Sequence, residues 1–310
     1  MIEFKEVVPF SGVDTSKTPK GIIVPLGPGP TKFNMVRLTN GQGVSVVLRG
    51  GANIKVEKLG WLWGYFLRLP SPPSDRLFKI SSILPSQNGY LEAMDPGGFT
   101  LDRLNVAVLK QKEVKLSIRP IQVLNPQGNL VYHSKAPFNF KDMVDQMNSV
   151  WTPQANVVFT LVSSNPVPLI DEARNAKLMN MAPNYTPPAL KGPMNIEVFK
   201  DLLIENKDRS AQLTMFLVER VAQGPTGNVI YPSGATIDGV SLISDNRARL
   251  PLLMAHEAGH FLGQEGHTDD PDDANKRAKD PRQQLMVNGG ADLGYKLIPF
   301  DLVVTRFNKQ

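Results

Sequence analysis

Residues 256–267, HEAGHFLGQEGH, hold three of the four histidines in this chain of 310 residues. They limit the fold because their spacing and apolar neighbours point to a helix that lies largely inside the protein. His256 and His260 are four apart, so on a helix they share one face about 6 Å apart. Leu252, Leu253, Ala255, Ala258, Phe261 and Leu262 surround them with apolar side chains. Two imidazoles buried there without partners would be costly, and a metal ion satisfies both. At this spacing two ring nitrogens can share a tetrahedral zinc at ~2.0–2.1 Å. Glu257 stands one step round the helix, too far to ligate with them but within reach of a zinc-bound water. There it can take a proton and pass it to a leaving amine. The competing reading is a helix whose two histidines face solvent or a polar core.

Zinc needs a third protein ligand. Gly263, three after His260, can take the backbone conformation that ends a helix. His267 then follows Gly266, and this turn has to bring it back to the metal. One residue spans at most ~3.5 Å, and Gly266 leaves the backbone free to bulge. His267 is the expected third ligand, with Asp269, Asp270, Asp272 and Asp273 of GHTDDPDDANK as rivals. Otherwise these acids form a solvated loop or a weak calcium site, without the D-x-D-x-D-G pattern. His133, in NLVYHSKAP, falls in an expected hairpin and reads as a surface residue.

No cysteine is present, so disulfides and thiolate metal sites are excluded and any zinc ligands are His, Asp or Glu. Hydrophobic content of 41% with 20% charged residues reads as a globular chain. The net charge of +5 is uneven: residues 1–110 hold 13 Lys+Arg against 8 Asp+Glu, and the remainder balances. That excess is either an ordinary solvated surface or a means of attracting an anionic envelope partner at low salt. Aromatics are not interleaved with the basic residues, so nucleic acid is not an expected partner. The run LGWLWGYFLRLP is too short for a membrane span and carries Arg68. MIEFKEVVPFSG shows no signal peptide. Secretion or delivery outside the producing cell is nevertheless the expected location.

Short apolar segments split by Gly and Pro fill residues 20–110: GIIVPLG, FNMVRLT, GVSVVLRGG, ANIKVEKLG, RLFKISSIL, GYLEAMD and LDRLNVAVLK. A spacing of roughly ten residues with turn signals between them predicts an all-β sandwich with a binding or spacer role. QKEVK marks a boundary, giving units 1–110 and 111–310. Beyond it strands and helices alternate. Residues 114–124, 156–162, 212–221, 227–232 and 238–244 read as strands. Residues 138–151, 194–206 and about 246–262 read as helices, the last capped by Asp245. Residues 163–194 are proline-rich and read as a surface insertion or lid.

FKISSILPSQNGYLEAMDPGGFTLDRLNVAVLK resembles the final strands of bacterial Ig-like domains. Residues 114–310 resemble the metzincin clan of zinc peptidases in the order of strands and helices and in the H-E-x-x-H helix. TIDGVSLISD before LMAHEAGHFLG is similar to the pappalysin-type members. In the clan's extended signature the third histidine falls at position 266, one residue before His267. QQLMVNGG offers Met286 for the clan's methionine turn. Asn288 stands where several families carry an oxyanion-stabilising Tyr, a role that Tyr231 or Tyr295 could fill. The resemblance implies an α+β catalytic domain behind the sandwich, with zinc on His256, His260 and His267 and Glu257 as general base and acid. It also implies a protein or peptide substrate laid as an added strand along 227–232. The expected activity is that of a zinc endopeptidase. The alternatives are a zinc amidase or peptidase acting on cell-wall peptides, or a catalytically silent zinc-bound adhesin.

Overall fold

A computed structural model describes residues 2–7, 20–27, 33–39, 47–51, 53–59, 76–124, 127, 129–133, 139–169, 194–218, 221–223, 229–231, 234–245, 250–263 and 285–286. Within them the short alternating segments are strands and the longer periodic ones are helices, giving a mixed α+β protein.

Residues 3–109 build two four-stranded sheets. One is antiparallel throughout, in the order β1 (Glu3–Glu6), β3 (Asn34–Thr39), β6 (Arg76–Ser81), β5 (Lys55–Lys58). The other runs β2 (Lys20–Pro25), β8 (Thr100–Leu109), β7 (Ser86–Met94), β4 (Val47–Gly50), and its β2–β8 pair is parallel. Alternate residues turn inward from each sheet. Phe4, Val36, Leu38 and Ile80 of the first meet Ile22, Val24, Leu91, Leu104 and Val106 of the second in one buried cluster. Each such side chain contributes on the order of 1.5–3 kcal/mol by leaving water. The sequence reading missed β1, because MIEFKE is short and half charged.

After Lys110 a seven-stranded sheet grows around β9 (Lys112–Leu124). β11 (Val157–Ser163) and β14 (Leu213–Val218) flank it in parallel, and β18 (Val240–Ser244) continues in parallel beyond β14. β17 (Gly234–Ile237) closes that edge antiparallel. β10 (Leu130–His133) and β12 (Val167–Leu169) pair with the far end of β9. The hairpin expected at His133 is therefore present, while 170–193 of the expected insertion lie outside the described residues.

Every residue of β14, LTMFLV, is buried, as befits a parallel strand covered on both faces. Leu213, Met215 and Leu217 face α1 (Phe140–Ala155) and α3 (Leu250–Phe261). Phe216 and Val218 face α2 (Ile196–Glu205). A separate three-stranded sheet joins β13 (Met194–Asn195), β15 (Val221–Gln223) and β16 (Val229–Tyr231). No helix among the described residues is long and apolar enough to cross a membrane.

α1 connects the two halves. Asn139 caps its start by accepting from the Asp142 N–H. Asn156, with φ 51°, ends it in the left-handed conformation and donates its side-chain amide to the Leu109 carbonyl at 2.7 Å. The Asn34 amide donates to the Pro153 carbonyl at 3.1 Å. Ile23, Ala107 and Leu109 from the front sheet share one apolar cluster with Trp151 of α1 and with Met254 and Ala258 of α3.

Candidate metal centre

α3 reads LPLLMAHEAGHF, and Leu253 to Gly259 are buried in succession. Its position is fixed from below. The Trp151 indole N–H donates to the Ala255 carbonyl at 3.0 Å, tying α1 to α3. A Cβ added at Gly259 would meet the Met286 sulfur first, with Met286 Cε at 2.8 Å and Trp151 Cζ2 at 3.5 Å. A larger residue here would have to displace the end of the Met286 side chain, which packs beneath the turn that carries both histidines. The helix stops where the sequence indicates. Gly263 has φ 118°, a region that favours glycine, and its N–H bonds the His260 carbonyl.

His256 is buried, and its Nδ1 lies 2.6 Å from the Leu285 carbonyl oxygen. A carbonyl only accepts, so Nδ1 carries the hydrogen and Nε2 of the neutral ring presents its lone pair. A partner of this kind on the outer nitrogen is the usual way a protein orients a ligating imidazole. His260 Nε2 sits 3.2 Å from His256 Nε2, with the rings inclined at 80°. Two bare lone pairs at that distance repel, so either a shared proton or a cation belongs between them. Nitrogens bound to one tetrahedral zinc at ~2.0–2.1 Å stand about 3.3 Å apart, and the observed separation fits. Among the described residues, His256, Glu257 and His260 are the group whose donor atoms come close enough to hold a metal, all within 4.8 Å.

The Glu257 carboxyl turns towards the sheet edge. Thr236 Oγ1 donates to its Oε2 at 2.6 Å, and Ser241 Oγ stands 2.8 Å behind Thr236. Gly234 leaves the space: a Cβ there would overlap Glu257 Oε1 and fall 2.6 Å from its Cδ. Burial pushes the Glu257 carboxyl up to about 8, opposed by the Thr236 hydrogen bond.

Sequence reading did not single out Gly234, Thr236 or Ser241. The signal that would have found them is the Asp-Gly pair: Asp238 and Gly239 have φ 51° and 75°, as a tight two-residue hairpin turn requires. The strand beside the histidine helix is therefore 234–237. Within 227–232, the expected cleft border, Val229–Tyr231 form β16 of the small separate sheet. Asp245 is buried and its N–H bonds the Val218 carbonyl, while the helical turn it was expected to cap, 246–249, lies outside the described residues. So do His267, Asp269, Asp270, Asp272, Asp273, Asn288 and Tyr295, and the Tyr231 and His133 side chains. Neither a protein-family model nor a curated protein matches the chain.

Proposed function

We propose that this chain is a zinc-dependent endopeptidase. The observation that carries the reading is the pair of imidazole nitrogens held 3.2 Å apart with the Glu257 carboxyl buried beside them. In this reading His256, His260 and His267 hold the metal. Zinc held there would supply an acidified water and polarise a peptide carbonyl. Leu285 keeps the His256 ring turned so that Nε2 faces inward. Glu257 takes a proton from the attacking water and delivers it to the leaving amine nitrogen. An extended peptide laid along the strand expected at 227–232 would be recognised through backbone pairing, with side-chain preference set by pockets.

The same reading makes residues 111–310 a metzincin-like domain and residues 1–110 an Ig-like sandwich. Four parallel strands with an antiparallel edge, and Met286 packed beneath the histidine helix, support the first part. Two sheets on one shared core support the second. A protein or peptide substrate met outside the producing cell fits this chemistry. The basic excess of the first third is either an ordinary solvated surface or an attraction for an anionic envelope partner, and the second would go with the narrower reading of a cell-wall peptidase.

The test is metal analysis of the purified protein together with casein and peptidoglycan digestion. Zinc-loaded protein is expected to cleave casein. Glu257→Ala is expected to keep its zinc and lose that activity by ~100-fold or more, the usual scale of general-base loss. Peptidoglycan release alone selects the narrower reading. Wild-type cleavage by the Glu257→Ala protein overturns both.

A further inference from the structure

We infer that Thr236, backed by Ser241, is a positioning residue that holds the Glu257 carboxyl in its working orientation. The inference rests on the peptidase reading and adds to it a pair of hydroxyls that act through Glu257.

Three observations converge. Thr236 Oγ1 lies 2.6 Å from Glu257 Oε2 and 3.2 Å from the Glu257 main-chain oxygen, so one hydroxyl meets both ends of the residue. Ser241 Oγ, on the neighbouring strand and fully buried, lies 2.8 Å from the same hydroxyl. Gly234, two residues before Thr236 on the same face of β17, is the only residue type that leaves room for the carboxyl. A single methyl group at Gly234 would fill the space, and a valine in place of Thr236 would turn an apolar group towards the carboxylate.

A hydroxyl suits this place better than an amide or a cation. It both donates and accepts. While Glu257 is ionised, Thr236 donates to it and Ser241 donates to Thr236. When Glu257 carries the abstracted proton, the direction of both bonds can reverse with no heavy atom moving. An N–H donor or a lysine could not accept from Oε2 when the proton settles on that oxygen. A general base that becomes a general acid within one turnover must stay in place through both. Because the water to be deprotonated is met at hydrogen-bond distance, a displacement of about 1 Å is enough to cost up to about a hundredfold in rate.

The experiment compares zinc-loaded wild type, Thr236→Val, Thr236→Ser and Ser241→Ala on a fluorogenic casein-derived peptide, with zinc content measured on each preparation. Thr236→Val keeps the shape and removes the hydroxyl. Its kcat is expected to fall by about ten- to a hundredfold with KM and zinc content unchanged. Thr236→Ser, which keeps the hydroxyl, is expected to restore most of the rate. A merely structural role would lower the folded fraction without this split and without rescue. Should Thr236→Val fail to fold, Ser241→Ala serves in its place, with a smaller fall in kcat expected at constant KM. Wild type that cleaves while Thr236→Val, or in its place Ser241→Ala, cleaves equally fast overturns this inference alone, as does a Thr236→Ser variant no faster than the valine. Zinc-loaded wild type that leaves both peptide and casein intact overturns the peptidase reading first, and this role with it.

Discussion

Glu257 is the residue on which burial and chemistry pull hardest against each other. Its carboxyl is buried, and among the described residues the Thr236 hydroxyl donates to it. Burial therefore raises its proton affinity to about 8 from an ordinary value of 4.5 in the metal-free protein. Between those two values the folded chain keeps a proton that the unfolded chain has released. Its contribution to stability is thus complete below 4.5 and is lost as pH rises through 8. Urea unfolding of metal-free protein is expected to show a fall on the order of a few kcal/mol from about pH 5 to about pH 8.5. Glu257→Gln, which cannot ionise, is expected to flatten that slope. An equally steep slope in the glutamine variant would place the titrating group elsewhere. Zinc loading is expected to shrink the wild-type slope, because a nearby cation favours the ionised carboxyl.

Among the elements, those with strong internal periodicity were legible in the sequence. Val144, Met147, Val150 and Trp151 repeat at helical spacing and are the buried face of α1. β14 (LTMFLV) and β18 (VSLIS) are mostly apolar and are buried at each position. The His256, Glu257 and His260 grouping was legible for a similar reason, since one helix fixes all three relative positions. What escaped was whatever depends on pairing between distant segments. Gly234–Ile237 carries no clear alternation and becomes a strand through its ladder with β18. The residues that meet Glu257 from that strand could not be named without knowing the ladder. The Leu285 carbonyl behind His256 was equally invisible, because a main-chain oxygen leaves no mark in the sequence. The turn beginning at Gly263 carries its own prediction. His267→Ala is expected to weaken zinc binding at least tenfold, as loss of one of three protein ligands should, while Asp269→Ala and Asp270→Ala leave it nearly unchanged. Zinc titration of the three variants decides this, and the reverse pattern would assign the third ligand to an aspartate.

At the scale of the whole molecule, the front sheets do more than stand before the histidine helix. Sequence alone gives residues 1–110 a binding or spacer role, for which removing them should matter little to the rest. Yet Ile23, Ala107 and Leu109 belong to the cluster that includes Trp151, Met254 and Met286. Asn34 and Asn156 bond across the same junction. A chain beginning at Gln111 would expose that face of α1, forfeiting on the order of several kcal/mol of apolar burial. Its urea midpoint is expected to fall well below that of the full chain, with hydrolysis lost at temperatures the full chain tolerates. An unchanged midpoint would show that the front sheets are a separable spacer. The central strand β9 has a further consequence, in the order of events during synthesis. Its Leu116 pairs with Leu213 on β14, which leaves the ribosome about 100 residues later, some 5–20 s at ordinary rates of elongation. During that interval β9 can rest on β10, β11 and β12, while its Leu116–Pro120 stretch waits for β14. The helix bearing the histidines is made later still, after β18, so a nascent chain passes through its most exposed folding steps before its candidate metal site exists.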